Sequence, residues 1–327
     1  MLIVLAPYAY TFERTHLRTA ILATKIIHNF LSNKNFQSCI KALDRIQHNK
    51  GDSKASTLIE KEKVVFKIEG LDTEILKIIE FQGGEEAKKQ VGILTGWTGK
   101  IYSLLEIDGF AGYAPMHRMQ NGGFLGSHVD HSYVNEGDLI HVANSIFYAV
   151  PKWEDNWQGE TVFFDKTGYR KIQEVLPEPN KLVLFTHDSE SFHGVNRITC
   201  PNDVARVTFY MDYYISKDDL YEFGKKYLKQ TGEPFYHFKY LTMFLPLPTE
   251  NGKIMWNALI KSEFKGYLRN YMQYLSESLL ARKSNYMKSA FIRRNALIAL
   301  IKLFDVINYT IKFCSKLILK PILRAFK

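Results

Sequence analysis

Between Gly109 and Ile215 the chain breaks into short runs rich in β-branched and aromatic residues: His141 to Val150, Glu160 to Phe164, Lys181 to Phe185 and Ala205 to Tyr214. Turn-forming stretches such as Pro177-Glu-Pro-Asn180 and Pro201-Asn-Asp203 separate them. Each run is too short for a typical helix, and the spacing predicts an antiparallel sandwich or barrel. The chain has 327 residues, of which 46% are hydrophobic and 14% aromatic, enough to fill a sizeable core. Charged residues make up 24%, which excludes wholesale disorder.

The flanking sequence reads differently. Residues 13 to 48 are expected to be helical, because Leu17, Ile21, Leu22, Ile26, Ile27 and Phe30 recur at helical spacing. Val64-Val65-Phe66 and Ile101 to Leu105 are short apolar runs, with a helix expected near Thr73 to Phe81. Ser216, with Asp219 three residues on, forms a capping-box-like start to a helix and closes the β-rich region. Long helices are expected from about Lys261 to Lys320. The organisation is thus three stretches: 1–108 supporting the core, 109–215 the core, and 216–327 a helical region with a basic amphipathic tail.

The net charge of +9 invites a nucleic-acid reading, but its distribution does not support one. Arg282 to Lys327 holds eleven basic residues and one acid, so it carries +10 and leaves −1 for everything before it. No nucleic-acid partner is expected, since the tail is too apolar for a simple phosphate-binding arm. In the tail, Lys302, Asp305, Lys312, Lys316 and Lys320 fall on one stripe of a helix whose other faces are apolar. Such a helix packs into its own module, pairs with a second copy as a homodimer, or lies on an anionic membrane surface. It does not span a bilayer, because no run approaches the roughly 18 apolar residues required. Cys39, Cys200 and Cys314 form no spaced pair, which fits a reducing compartment. Met1 to Ala6 is apolar but lacks a basic n-region and reads as a buried strand. The expected location is cytoplasmic, or peripheral to a membrane.

The residues that carry chemistry lie in the β-rich stretch. Residues i and i+2 of a strand share a face, so His128 and Asp130 present an imidazole and a carboxylate side by side. His193, in Ser191-Phe-His-Gly194, follows the Lys181 to Phe185 strand. Two histidines and a carboxylate with open positions are the ligand set of non-haem Fe(II). Arg206 and Thr208 also share a face, where a guanidinium binds a carboxylate bidentately. An isolated His-x-Asp is common by chance, and His117, His131, His141 and His187 are further histidines nearby, so the surrounding pattern has to decide.

That pattern resembles the 2-oxoglutarate/Fe(II)-dependent dioxygenase superfamily, in its prolyl-4-hydroxylase-like branch. Gly122-Gly123 precede His128-x-Asp130. Phe147-Tyr148 is followed by Gly159-Glu160-Thr161-Val162-Phe163. Leu184-Phe185 precedes His193-Gly194-Val195, and Arg206 stands on the last core strand. The resemblance covers about a third of the chain. It implies an α+β fold: a double-stranded β-helix (jelly-roll) core with supporting N-terminal helices and a C-terminal helical extension. It also implies Fe(II) on His128, Asp130 and His193, with 2-oxoglutarate held by Arg206 and Thr208. O2 is consumed, succinate and CO2 are released, and ascorbate is a candidate reductant.

There are departures. The branch's tyrosine upstream of the glycine pair falls at Met119, which donates no hydrogen bond, leaving His117 as a candidate substitute in the co-substrate pocket. His141 and Asn144 stand where the branch has arginine and threonine. These changes favour a small molecule or biosynthetic intermediate as substrate over a prolyl peptide. A peptidyl hydroxylase and a non-catalytic jelly-roll binding module are the alternatives; a nucleic-acid dealkylase is disfavoured by the near-neutral core. Asp130 argues against halogenation, which needs a small residue there. Among possible second-sphere partners, His131 and Asp188 are near in sequence. Trp153 and Trp157 are expected to cap a sheet edge, and Tyr210, Tyr213 and Tyr214 to pack on helices.

Overall fold

The computed structural model describes residues 23–46, 53–55, 57, 59–69, 71–107, 113–245, 249–254 and 271. The apolar start and, Tyr271 apart, the tail from Lys261 lie outside these residues. Contacts divide the chain into a unit of residues 1–261 and a second of 262–327. Among the described residues, no helix is long and apolar enough to cross a membrane.

The first unit opens with β1 (Thr24–Ile27), α1 (Asn33–Ile46), β2 (Ser53–Ala55), β3 (Glu60–Lys67), α2 (Thr73–Gly83) and α3 (Glu85–Thr95). The central strands are β4 (Tyr102–Ser103), β5 (Tyr113–Val129), β6 (Tyr133–Val134), β7 (Leu139–Tyr148), β8 (Thr161–Phe164), β9 (Lys171–Val175), β10 (Lys181–Thr186), β11 (His193–Val195) and β12 (Arg206–Ser216). Then come α4 (Leu220–Thr231), β13 (Met243–Phe244), β14 (Thr249–Glu250) and β15 (Lys253–Ile254). All strands but the last two join one antiparallel sheet with the order β1-β10-β7-β12-β5-β11-β8-β9. This curled sheet, backed by helices, is the jelly-roll architecture the sequence implies.

The helical expectation for residues 13 to 48 is corrected. Residues 13–22 are outside the described set, and Thr24–Ile27 is a strand paired antiparallel with Leu182–Phe185 of β10. Ile26 and Ile27 fit a helical period, but β-branched side chains suit a pleated surface, and pairing with a distant strand decides the outcome. The helix begins only at Asn33, after Ser32 accepts from the Asn35 N–H at 3.3 Å. Thr73 to Phe81 is helical as expected, with Asp72 accepting from Glu74 N–H at the N-cap. The Ser216 cap also forms: its hydroxyl accepts from Asp218 N–H, opening a short 3-10 turn that runs into α4.

Strand alternation divides the core in two. On β12, Val207, Phe209, Met211 and Tyr213 face outward, and with Phe147, Leu182 and Leu184 they pack against the helices. Gln82 of α2 is fully buried there and donates to Ser145 Oγ and Phe209 O, tying helix to sheet. The alternate residues face inward. Arg206 pairs with Met119, Thr208 with His117 and Tyr148, Tyr210 with Ile146, and Asp212 with Asn144. Opposed residues of antiparallel strands share a face, so these side chains line the inside of the roll. Tyr148, Val183, Phe185, Phe163 and Met119 form its separate apolar core. Trp153 joins that inner core, its indole donating to Gln158 O at 2.8 Å with Trp157 edge-on, and it lies beside Gly159 next to the Arg206 side chain rather than capping a sheet edge.

Candidate functional site

Three predicted ligands meet at the end of the roll. His128 lies near the end of β5, Asp130 immediately follows that strand, and β11 places His193 directly opposite His128. The close pairing needs Gly194: a Cβ there would sit 2.6 Å from the Leu125 carbonyl oxygen. The Nε2 atoms of His128 and His193 stand 3.4 and 3.3 Å from the two Asp130 oxygens. Ligand atoms of all three residues lie within 4.8 Å of one another.

The rings are pre-set. His128 Nδ1 faces Gly126 O at 2.9 Å, and His193 Nδ1 faces Ser191 O at 3.0 Å. A carbonyl only accepts, so each Nδ1 carries a proton and each Nε2 is the nitrogen turned toward Asp130. Phe244 of β13, paired opposite His128, stacks on its ring at 4.8 Å. Burial would raise the Asp130 carboxyl, but the facing imidazoles outweigh it and hold the group well below the usual carboxylate range. Burial would lower His193, and Asp130 outweighs that and raises it. His128 is lowered by burial and by the neighbouring His193.

Further into the roll lies Arg206, 2% exposed. Its Nε donates to Gly159 O at 2.8 Å and Nη2 to Thr161 Oγ1 at 2.9 Å, with the guanidinium over the Tyr148 ring. The Tyr148 hydroxyl is 2.6 Å from Thr161 Oγ1. No carboxylate pairs with Arg206 among the described residues. A buried cation without a counter-charge is costly, which makes this a receptor for an anion. Thr208 and His117 share its face toward the ligand cluster. His117 is stacked on Tyr210 at 4.6 Å, and its electrostatic neighbours include both Arg206 and Asp130. Burial holds His117 well below its ordinary pKa, so it is neutral.

A second group, His131, His141 and Asp212, has ligand-like proximity. It is already committed to hydrogen bonds. His141 faces carbonyl oxygens with both nitrogens, His131 O at 2.8 Å and Ala143 O at 3.1 Å; burial lowers its pKa to about 3, so the neutral ring donates to one of them. His131 Nε2 bonds the Tyr214 hydroxyl at 2.8 Å.

His131 turns to Tyr214, and Asp188 Oδ1 accepts from Glu190 N–H. Of the three tyrosines expected to pack on helices, Tyr213 and Tyr214 are in the helix-side core and Tyr210 packs against it while also stacking on His117. Sequence reasoning gave no role to Tyr148, Asp212 or Phe244. Counting on by twos from Arg206 would have reached Asp212; Phe244 is brought in by a strand pairing that no local pattern announces.

Residues 114–212 match the family model of the 2OG-Fe(II) oxygenase superfamily, a span running from β5 to β12 and containing every ligand candidate. By that match this stretch is a 2OG-Fe(II) oxygenase domain, which supports a 2-oxoglutarate-dependent dioxygenase activity with Fe(II). No curated protein matches the chain. Among solved structures, a prolyl-4-hydroxylase from Pseudomonas putida is similar at 14% identity, covering 59% of this chain and 92% of its own, with a TM-score of 0.42. A Phytophthora capsici prolyl 4-hydroxylase structure is 11% identical over 85% of this chain and 88% of its own, with a TM-score of 0.41. HygX from Streptomyces hygroscopicus, with nickel, 2-oxoglutarate and hygromycin B bound, is 10% identical over 59% and 83%, with a TM-score of 0.39.

Proposed function

We propose that this dioxygenase hydroxylates a C–H bond of a small molecule or biosynthetic intermediate, with His128, Asp130 and His193 holding Fe(II). The observation that carries the assignment is the pair of Nε2 atoms, each oriented by an Nδ1–carbonyl bond and each converging on the one Asp130 carboxylate. Two neutral imidazoles and a carboxylate fit a divalent iron and leave other positions open. Bound together, Fe(II) and 2-oxoglutarate supply the oxidation of a C–H bond by O2, the co-substrate leaving as succinate and CO2.

The protein's own part is binding, orientation and exclusion of water. Arg206 receives the distal carboxylate of 2-oxoglutarate, because it is buried and has no ion-pair partner among the described residues. Thr208 and neutral His117, on the same inward face, line the path between Arg206 and the metal ligands. His117 thereby takes the place that Met119 leaves without a donor. Phe244 covers one face of His128 and keeps solvent from it. The enclosure favours a compact substrate: the two imidazoles are nearly closed off, and Asp130 keeps 22% of its side chain accessible.

The test is direct. Anaerobic addition of Fe(II) and 2-oxoglutarate is expected to give a weak visible charge-transfer band, and O2 then gives succinate. His193→Ala is expected to lose both. Succinate formation is then screened for stimulation by metabolites and, in parallel, by proline-containing peptides. Stimulation by peptides alone would overturn the small-molecule reading; a band and turnover that survive His193→Ala would overturn the ligand set.

A further inference from the structure

We propose that Asn144 is a positioning residue that fixes the metal-binding carboxylate, an inference that rests on the ligand set proposed above. His128 and His193 sit on paired strands and are tethered through Nδ1. Asp130 lies just past the end of β5, off the ladder, so a side chain must do for it what carbonyls do for the histidines. Asn144 does this. Its Nδ2 donates to Asp130 Oδ2 at 3.1 Å and to Asp212 Oδ1 at 3.0 Å.

The clamp stands on rigid parts. Asn144 and Asp212 are register partners on β7 and β12, both long central strands. Asp212 is in turn held through its Oδ2 by the Tyr214 hydroxyl at 3.4 Å, and that hydroxyl bonds His131 Nε2. The amide has one workable orientation, because reversing it would turn a carbonyl toward two carboxyl groups. In this orientation Asn144 Oδ1 is buried without a partner. Such an orphan acceptor is unfavourable, and an apolar side chain of similar size would avoid it. The amide is therefore explained by what its N–H groups do.

The consequence concerns how the carboxylate meets the metal. An oxygen that accepts from Asn144 has a lone pair engaged. The clamp thus favours attachment through a single carboxylate oxygen and leaves positions for 2-oxoglutarate and O2. It also stops the side chain from swinging toward solvent when the metal leaves.

Full-length protein serves for the test. Anaerobic Fe(II) affinity and the position of the charge-transfer band with 2-oxoglutarate are measured for wild type, Asn144→Leu, Asn144→Thr, Asp212→Leu and His193→Ala. Loss of an outer partner of a metal ligand lowers affinity roughly 10- to 100-fold. Asn144→Leu is expected in that range, with a shifted band and an unchanged circular-dichroism spectrum. Asn144→Thr keeps one donor and is expected to recover part of the loss. Asp212→Leu, which removes the far anchor, is expected to lose less than Asn144→Leu. Should Asn144→Leu fail to fold, the comparison of Asn144→Thr with wild type decides, an unshifted band and unchanged affinity counting against the clamp. Wild-type affinity in the Asn144 variants while His193→Ala loses the metal would overturn the positioning role alone. Retention of Fe(II) by His193→Ala as well would instead sink the ligand set beneath it.

Discussion

The two faces of β12 have been given opposite tasks by one alternating stretch of sequence. Outward, Val207, Phe209, Met211 and Tyr213 bury themselves against the helices. Inward, Arg206, Thr208, Tyr210 and Asp212 form a polar row along the inside of the roll. Neighbouring residues on this strand therefore belong to different energy problems. The outer row lowers the free energy of the fold. The inner row contains a buried guanidinium with no ion-pair partner among the described residues. The comparison teaches that the site is held together by the far side of its own strands.

If the faces are separable, inner substitutions change ligand binding and outer ones change stability. The largest effect is expected from His193→Ala, opposite β5: a fall in succinate formation beyond the ~100-fold that loss of an outer partner costs. The thermal rise that Fe(II) gives by mass action should vanish with it, which differential scanning calorimetry checks. Next comes Arg206→Leu. Removing one partner of a buried charged contact costs about 2–5 kcal/mol, so KM for 2-oxoglutarate should rise by between roughly 30- and several-thousand-fold. Its melting temperature should hold or increase, since a buried unpaired cation is gone. A large loss of stability in Arg206→Leu would break the comparison.

The outer face supplies the converse. Phe209 is fully buried and lies 6.2 Å ring to ring from Phe147. Phe209→Ala should cost about 3–5 kcal/mol of stability in denaturant titration. The protein that remains folded should keep its KM for 2-oxoglutarate. A parallel rise in KM would show that packing behind the strand shifts Arg206.

Much of this architecture was legible because its signals are local. The runs at 141–150, 160–164, 181–185 and 205–214 became β7, β8, β10 and β12 with small shifts at their ends. The proposed ligands were readable because holding a metal would restrict residue type. What escaped is non-local. Thr24–Ile27 looked like part of a helix because only β10 makes it a strand. β5 continues past Gly122-Gly123, a pair that reads as a breaker; it lies at a register shift against β3 and is held by Ile198, which accepts from Gly122 N–H and donates to Gly123 O. Asn144 was noted only as a departure; its role needs the register that sets it between Asp130 and Asp212. Phe244 reaches His128 from beyond α4, through a two-residue strand with no periodicity to detect.

The smallest expected effect is the most discriminating between the faces. Tyr213 is the outer neighbour of Asp212. Its hydroxyl donates to Gln82 O at 2.7 Å and lies 3.1 Å from Ser145 Oγ, all of it buried. Tyr213→Phe removes one hydroxyl and no ring, so packing volume is nearly kept. One lost internal hydrogen bond contributes about 0.5–1.5 kcal/mol, and the Gln82 carbonyl left without this donor adds to that. Stability should therefore fall by about 1–2 kcal/mol in a urea titration. Asp212 and Asn144 point the other way, so Fe(II) affinity should not change. An altered Fe(II) affinity in Tyr213→Phe would mean that the helix-side hydrogen bonds help set the position of Asp212, and that the two faces of β12 act as one unit.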